Sequence, residues 1–292
     1  MRYFIRDSTL FLRGDFSAAS SGVDGGMRKV PTIFNHTVPE DFSEDPRRYM
    51  EQIVIREGYA PSFFGLLTAV NMRNLCILQY DFITAFVTAG IKGDQQSPAH
   101  TINIMVFSAE GLAPGALLES MIVATEAKVQ ALHERGYSLT GTGTDAVVTA
   151  SEGEIQHFYA GTLAEPGRRI YAAVQQGVSE ALKRQHGEVI REGPSFFIYS
   201  RYGGDHWAEW RPGTCSYYPC HFEGQRCDFC YCPFYPCLEV GLGTWVESSG
   251  GGEIWSCSNC SLLHEPEIAD YLKKYPEAPL CELRALFKRL KK

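Results

Sequence analysis

Apolar positions recur with two periods along this chain, and the switch between them marks out its elements. "RYFIR" and "TLFLRG" run like strands on either side of Asp7-Ser8, a hairpin pattern. "VPTIFNHTV" (30–38) predicts another strand. A short helix follows, with Asp45 as its N-cap, Pro46 in its first turn, an apolar face of Met50, Ile53 and Val54, and Gly58 as its stop. Four apolar runs of strand length come next, at 63–70, 74–80, 83–91 and 101–109, with turn residues between them. The helical period then takes over. Pro114 to Arg135 predicts a long helix with Leu118, Ile122, Thr125, Val129 and Leu132 on one face, closed by Gly136. "AVVTASE" (146–152) and "EIQHFYAG" (154–161) predict strands that meet in a hairpin at Gly153. A second long helix begins near Pro166, carries Ile170, Val174, Val178 and Leu182 as its stripe, and stops at Gly187. Many hairpin-like strands with a few long helices predict an α+β fold.

The pattern breaks near residue 192. This divides the chain into a strand-rich domain, 1–192, and a small domain, 193–292, that is poor in aliphatic residues until its terminal helix. Nine of the ten cysteines lie after residue 214, so sulfur rather than a large apolar core is expected to hold the second domain together. The candidate metal ligands fall into three groups. Cys215 and Cys220-His221 form the first; Cys227, Cys230, Cys232 and Cys237 the second; Cys257, Cys260 and His264 the third. A Cys-x-x-Cys turn presents two sulfurs to one ion, and a second pair completes a tetrahedron. Ten donors exceed one such site and suffice for two. Zinc is the ion this donor set favours, with an iron–sulfur cluster as the alternative. A filled four-ligand site is structural rather than catalytic. Cys76, in an apolar run, and Cys281, on an amphipathic helix, are expected to be buried packing thiols.

Charge narrows the function classes. The formal net charge is −7, and no basic stripe breaks it, which argues against a nucleic-acid partner. No run of about 18 apolar residues suits a membrane-spanning helix. The first residues alternate and carry charge, unlike an export signal, so a cytoplasmic location is expected, where cysteines serve as metal ligands rather than disulfides. Nothing in the pattern fixes whether the chain forms a homo-oligomer.

"LTGTGTDAVV" (139–148) is the second unusual stretch. Such a turn exposes backbone N–H groups that can cradle an oxyanion. A threonine hydroxyl beside a carboxylate can act as a nucleophile or orient water. No lysine follows the glycines, so this is not a P-loop, and the same residues also suit a plain helix-to-strand connection. Three further polar residues sit in apolar company: Asn103 in "TINIMV", Asn35 in "TIFNHTV" and Glu126 in "ATEAK". A buried asparagine must be hydrogen-bonded.

Taken in order and spacing, "TINIMV", "ATEAK", "TGTGTDAVVTAS" and "YAGTLAEPGRRIYAAV" resemble the adenosylcobinamide amidohydrolases of archaeal corrinoid salvage, over roughly residues 10 to 185. "CSYYPCH", "CDFCYCPFYPC" and "CSNCSLLH" resemble the cysteine-rich small domain, which accompanies corrinoid amidohydrolases in some proteins. His100 stands before "TINI" where that resemblance leads one to expect glycine, and Lys92 and Asp94 stand where smaller or neutral residues are expected. The resemblance implies hydrolysis of the amide that joins aminopropanol to the corrin side chain, giving adenosylcobyric acid and aminopropanol. Placed on the family-like blocks, Thr144 is the expected nucleophile or water-positioning group, Asp145 or Glu126 the base, and Asn103 the group that holds the amide. Asn35, Thr140, Gly141, Thr142 and Gly143 are the expected substrate-binding residues. The alternative is a corrinoid-binding or metal-dependent interaction protein without hydrolase activity.

Overall fold

The computed structural model describes residues 1–91, 101–201, 204–211, 215–247 and 252–291. Lys92, Asp94 and His100 lie outside them. The chain divides into two compact units, Tyr3–Trp210 and Arg211–Lys292.

In the first unit, strands β1 (Arg2–Arg6) and β2 (Thr9–Ser20) form the expected hairpin. Asp7 and Ser8 take positive φ, 45° and 59°, as a tight two-residue turn between twisted strands requires. Strand β3 (Gly26–Thr37), helix α1 (Pro46–Arg56) and strands β4 (Phe63–Thr68), β5 (Cys76–Tyr80), β6 (Ile83–Gly90) and β7 (Thr101–Ser108) follow. Asp45 caps α1 by accepting from the Arg48 amide at 2.8 Å. Then come the short β8 (Gly111–Leu112), helix α2 (Pro114–Glu134), β9 (Ala146–Ser151), β10 (Ile155–His157), helix α3 (Glu165–Gln185), β11 (Ser195–Ser200) and β12 (His206–Trp210). Ten strands form one mixed sheet in the order β12-β11-β5-β6-β7-β9-β2-β3-β4, with β1 on β2. The α+β expectation holds.

Both faces of this sheet are covered, by different means. Leu10, Phe16, Ile33, Phe64, Phe86, Met105 and Val148 share one buried cluster on the inner face. The sheet curls around that cluster until β4 reaches β7, four places away in strand order: the Asn103 side-chain amide donates to the Leu67 carbonyl at 2.8 Å. On the outer face, α2 and α3 cover β5, β6, β7 and β9, and α1 covers β2 to β4.

Two sequence expectations are corrected here. The buried stripe of α2 is Ala116, Leu117, Ser120, Val123, Ala124, Ala127, Lys128, Ala131 and Leu132, so of the expected face Leu132 alone is fully buried. Leu118 and Ile122 are 50% and 59% exposed. Small residues won the inner face because α2 packs closely against α3 and the sheet, and alanine allows that approach. The hairpin at Gly153 is absent. Strand β9 is already paired on both edges, with β7 and β2, so β10 pairs in parallel with β8 instead.

Packing also moves the domain boundary, from 192/193 to Trp210/Arg211. Strand β11 lies parallel to β5, and β12 pairs with β11, so residues 195–210 extend the first unit's sheet. Ionic contacts bind the addition. The Arg184 guanidinium, buried on α3, contacts Glu180 at 2.8 Å, Glu209 of β12 at 3.0 Å and the Ser195 hydroxyl at 2.9 Å. Arg191 donates to both Glu209 oxygens.

The second unit pairs β13 (Thr244–Glu247) with β14 (Glu253–Ser256) and ends in α4 (Pro266–Lys274) and α5 (Leu280–Leu290). Its buried centre is small: Leu262, Leu263, Ile268, Leu272, Ala278 and Leu283. Among the described residues no helix is long and apolar enough to cross a membrane.

Removing one partner of a buried ion network leaves a desolvated charge unpaired. Glu209→Ala is therefore expected to destabilise the first unit by about 3 kcal/mol, read from the urea unfolding midpoint, with Glu209→Gln costing less.

Candidate functional site

The "TGTGTD" turn joins α2 to β9 at one rim of the sheet, and Asp145 organises it. One carboxylate oxygen accepts from the Ile102 amide at 2.9 Å and the Thr142 hydroxyl at 2.6 Å. The other accepts from Lys128 Nζ at 2.6 Å and the Thr142 amide at 3.0 Å. The two charged side chains are 8% and 11% exposed, so water screens the pair little. One carboxylate thereby ties together the turn itself, the start of β7 and the buried face of α2. Gly141 is needed for this closeness. A Cβ there would lie 2.3 Å from the Asp145 oxygen and 2.5 Å from Lys128 Nζ.

Beside this clamp the Thr144 and Thr101 hydroxyl oxygens are 2.6 Å apart. Thr144 is exposed on the rim while Thr101 is buried at the first position of β7. Two residues along, on the same face of β7, is Asn103. Its amide nitrogen donates to Asn35 Oδ1 at 3.0 Å, and Asn35 in turn donates to the Thr88 hydroxyl at 3.0 Å. A column of polar side chains thus runs from the rim into the apolar interior. Asn103 and Asn35 are 1% and 2% exposed, and Asn103 Oδ1 has no hydrogen-bond partner among the described residues. At the same rim Ser21 continues the pairing of β2 with β9: its amide donates to the Val147 carbonyl and its hydroxyl accepts from the Val147 amide, each at 2.9 Å.

The structure therefore brings together Thr144, Asp145, Thr142 and Gly141, with Asn103 and Asn35 beneath them. Thr140 and Gly143 are exposed on the outer edge of the turn. Glu126 is not part of the cluster. It is exposed on α2, two residues before Lys128 and so about 200° around the helix from it. Lys128 and Thr101 are the members that the sequence expectation missed. Lys128 had a legible signal: it lies four residues after Ala124 and three before Ala131, inside an alanine stripe where a solvated lysine does not belong.

Nine of the ten cysteines, all but Cys76, lie in the second unit, and all ten are free thiols. Both Cys-x-x-Cys pairs are closed by a tight turn, with the Cys230 amide on the Cys227 carbonyl at 3.3 Å and the Cys260 amide on the Cys257 carbonyl at 2.9 Å. The buried Gln225 amide is oriented by its oxygen, which accepts from the His221 and Phe222 amides. Its nitrogen therefore faces two sulfurs, Cys220 at 3.1 Å and Cys227 at 3.4 Å. A cavity of about 50 Å³ is lined by Cys230, Cys232, Cys237, Cys257 and Cys260 with His264. Burial, then the neighbouring sulfurs, hold the thiols of Cys230 and Cys257 above their ordinary value; burial alone leads for Cys232, raised to about 11. His221 and His264 face each other with ring centres 4.5 Å apart, and His264 Nδ1 lies 2.7 Å from the Arg226 carbonyl oxygen. The Cys215 carbonyl accepts from the Tyr218 amide at 3.2 Å. Among the described residues no three His, Cys, Asp or Glu side chains converge as a metal-binding set. The donors fit a thiophilic ion in their chemistry and their paired turns, and they are gathered in pairs and around one cavity rather than at a point. Cys281 is exposed on α5, contrary to expectation, because the helix turns Leu283 rather than Cys281 into the core. Cys76 is buried as expected, and burial pushes its thiol up to about 12.

Residues 10–189 match the family model for adenosylcobinamide amidohydrolase, and residues 206–286 match that for a cysteine-rich small domain. An adenosylcobinamide amidohydrolase of Methanosarcina mazei is 39% identical over 196 residues, covering 63% of this chain and 98% of that protein. The chain belongs to the adenosylcobinamide amidohydrolase family.

A second protein of that name, from Halobacterium salinarum, is 27% identical over 56% of this chain and 78% of its own length. The tail is similar to part of another protein. A probable cobalt-factor III C(17)-methyltransferase of Methanothermobacter thermautotrophicus is 48% identical over 62 residues, 21% of this chain and 17% of that protein. The rim cluster, from Ser21 through Thr101 and Lys128 to Asp145, lies wholly within the stretch that matches the adenosylcobinamide amidohydrolase family.

Because Gly141 leaves no room for a side chain, Gly141→Ala is expected to part Lys128 from Asp145. The cost is about 1–3 kcal/mol of stability by thermal or urea unfolding, the range for overpacking a close contact.

Proposed function

We infer that this chain hydrolyses the amide between aminopropanol and the corrin side chain of adenosylcobinamide, releasing adenosylcobyric acid and aminopropanol, in the salvage of cobinamide for cobalamin synthesis. The observation that carries this reading is the 39% identity to the Methanosarcina mazei amidohydrolase along 98% of that protein's length. The rim cluster supports it by offering hydroxyls, backbone donors and a fixed charge at one solvent-open point.

The net reaction adds water across the amide. The carbonyl carbon gains an oxygen, its bond to nitrogen breaks, and the nitrogen leaves with a proton as the amine. Thr144 is the residue assigned to the attacking side, either as nucleophile through a threonyl ester or as the group that positions water. The Thr101 and Thr144 hydroxyls, 2.6 Å apart, share a hydrogen bond that orients the attacking side. The exposed Gly143 amide is the assigned backbone donor for the oxyanion, since the Thr144 amide donates to the Thr142 hydroxyl at 3.4 Å. Asp145 has its lone pairs engaged by four donors, so its assigned role changes from base to clamp, with Lys128 as the other half. Asn103 and Asn35 act beneath Thr101 as positioning residues. Glu126, on the far side of α2, takes no part.

The test is turnover of adenosylcobinamide by the purified chain, followed by chromatography and mass. Thr144→Ala is expected to lower kcat by about a hundredfold or more with the fold intact, and Glu126→Gln to leave it unchanged. A folded Thr144→Ala variant at full rate would sink the threonine assignment, and an inactive wild type would sink the hydrolase reading.

For the second unit we propose a structural zinc centre, its ligands drawn from Cys215, Cys220, Cys227, Cys230, Cys232, Cys237, Cys257 and Cys260, with His221 and His264 as the nitrogen donors in reach. The metal would fasten a unit whose apolar core is too small to hold it. The thiols suit a reducing, cytoplasmic setting. Chelation is expected to make residues 215–264 protease-sensitive while the first unit keeps its resistance. Equal resistance before and after chelation counts against a structural metal, and visible absorption in the purified protein assigns an iron–sulfur cluster instead.

A further inference from the structure

An open-sided cavity of about 370 Å³ lies between the turn at residues 69–74 and the C-terminal end of α3. Its polar lining includes Asn71, Arg73, Asn74 and Gln185. The Asn74 amide nitrogen donates to the Gln185 side-chain oxygen at 3.0 Å, which turns the Gln185 nitrogen and the Asn74 oxygen to other partners. Asn71 caps the short turn by accepting from the Arg73 amide at 2.9 Å, which leaves its own amide nitrogen to donate.

The cavity is next to the rim cluster. Gly90, the last residue of β6, is the register partner of Thr101. A Cβ on Gly90 would lie 2.8 Å from Val70 and 3.9 Å from Gln185, so the cavity wall rests on the strand beside Thr101. Neighbouring strands are about 4.8 Å apart, which puts Thr101 one strand's width from Gly90 at this wall, with Thr144 beyond it on the β9 side of β7.

Charge limits what can bind. Arg184 and Arg191 also line the cavity, but both are ion-paired, each with Glu209 and Arg184 with Glu180 as well. Arg73 is exposed and has no ion pair among the described residues. One such cation with three carboxamide side chains makes a poor phosphate site and a good site for neutral groups that both donate and accept. The rim of a cobinamide carries primary carboxamide arms of that kind. We propose that this cavity is the subsite for the peripheral carboxamide arms of the corrinoid, holding the macrocycle while its aminopropanol amide rests at Thr144. The proposal rests on the hydrolase reading for the identity of the ligand.

The experiment compares wild type, Arg73→Met and Gln185→Leu, with circular dichroism to confirm folding. Arg73 is exposed, so its variant keeps the test open if Gln185→Leu does not fold. Turnover is measured with adenosylcobinamide, and equilibrium binding with cobinamide lacking the adenosyl group. Each variant is expected to raise KM about tenfold at unchanged kcat, as loss of one or two hydrogen bonds made equally in ground and transition states requires, and to weaken cobinamide binding by the same factor. Active variants with unchanged KM and unchanged cobinamide binding overturn the subsite and leave the hydrolase reading standing. A defect confined to the adenosylated substrate also overturns it, because the cavity then holds the nucleoside. A wild type that binds cobinamide without turnover, and binds it less tightly in the variants, supports the subsite while the hydrolase reading fails. A wild type that neither binds nor reacts removes both.

Discussion

A carboxylate with four donors aimed at it can be satisfied in one arrangement, and Asp145 imposes that arrangement on three separate parts of the chain. The Ile102 amide fixes the entry to β7, Lys128 fixes the rotation of α2, and Thr142 folds the turn back on itself. The ion pair lies largely out of water, so losing either half would leave a charge stranded in a poorly solvated place. Rotation of α2 decides which of its residues face the sheet. The position of β7 decides where Thr101 and Asn103 stand. The proposed chemistry therefore inherits its geometry from a residue that does not itself react.

Much of the architecture was legible because strand and helix periods are local properties. The hairpin at Asp7-Ser8, the cap at Asp45 and the stripe of α3 could each be seen within a few residues. The failures were all cases where a distant element decided. The face of α2 was set by close packing that prefers alanine to leucine, which a search for large apolar residues reads the wrong way round. The expected hairpin at Gly153 failed because β9 had already given both edges to strands far away in sequence. Glu126 and Lys128 sit two residues apart in one short block, and only the rotation of the helix separates the exposed carboxylate from the buried ammonium.

The second unit shows a different kind of legibility. Its spacing announces paired sulfur turns, and those turns form, closed by their own backbone hydrogen bonds. What spacing does not convey is the support around them. Gln225 has an amide fixed by two backbone donors so that its nitrogen meets Cys220 and Cys227. Such a group orients the two sulfurs in the way that supporting hydrogen bonds orient metal ligands.

The two strands beyond residue 192 bear on how the first unit can be isolated. A gene shortened at that point would strip β11 and β12 from the sheet and leave β5, with its apolar side chains, as a bare edge. Unpaired edges of that kind recruit strands from other molecules. The same cut would deprive Arg184 of Glu209 at the moment the edge opens. Insoluble product from such a truncation would report a badly chosen terminus rather than an inability of the first unit to fold, and a cut after Trp210 keeps both the edge and the ion network whole.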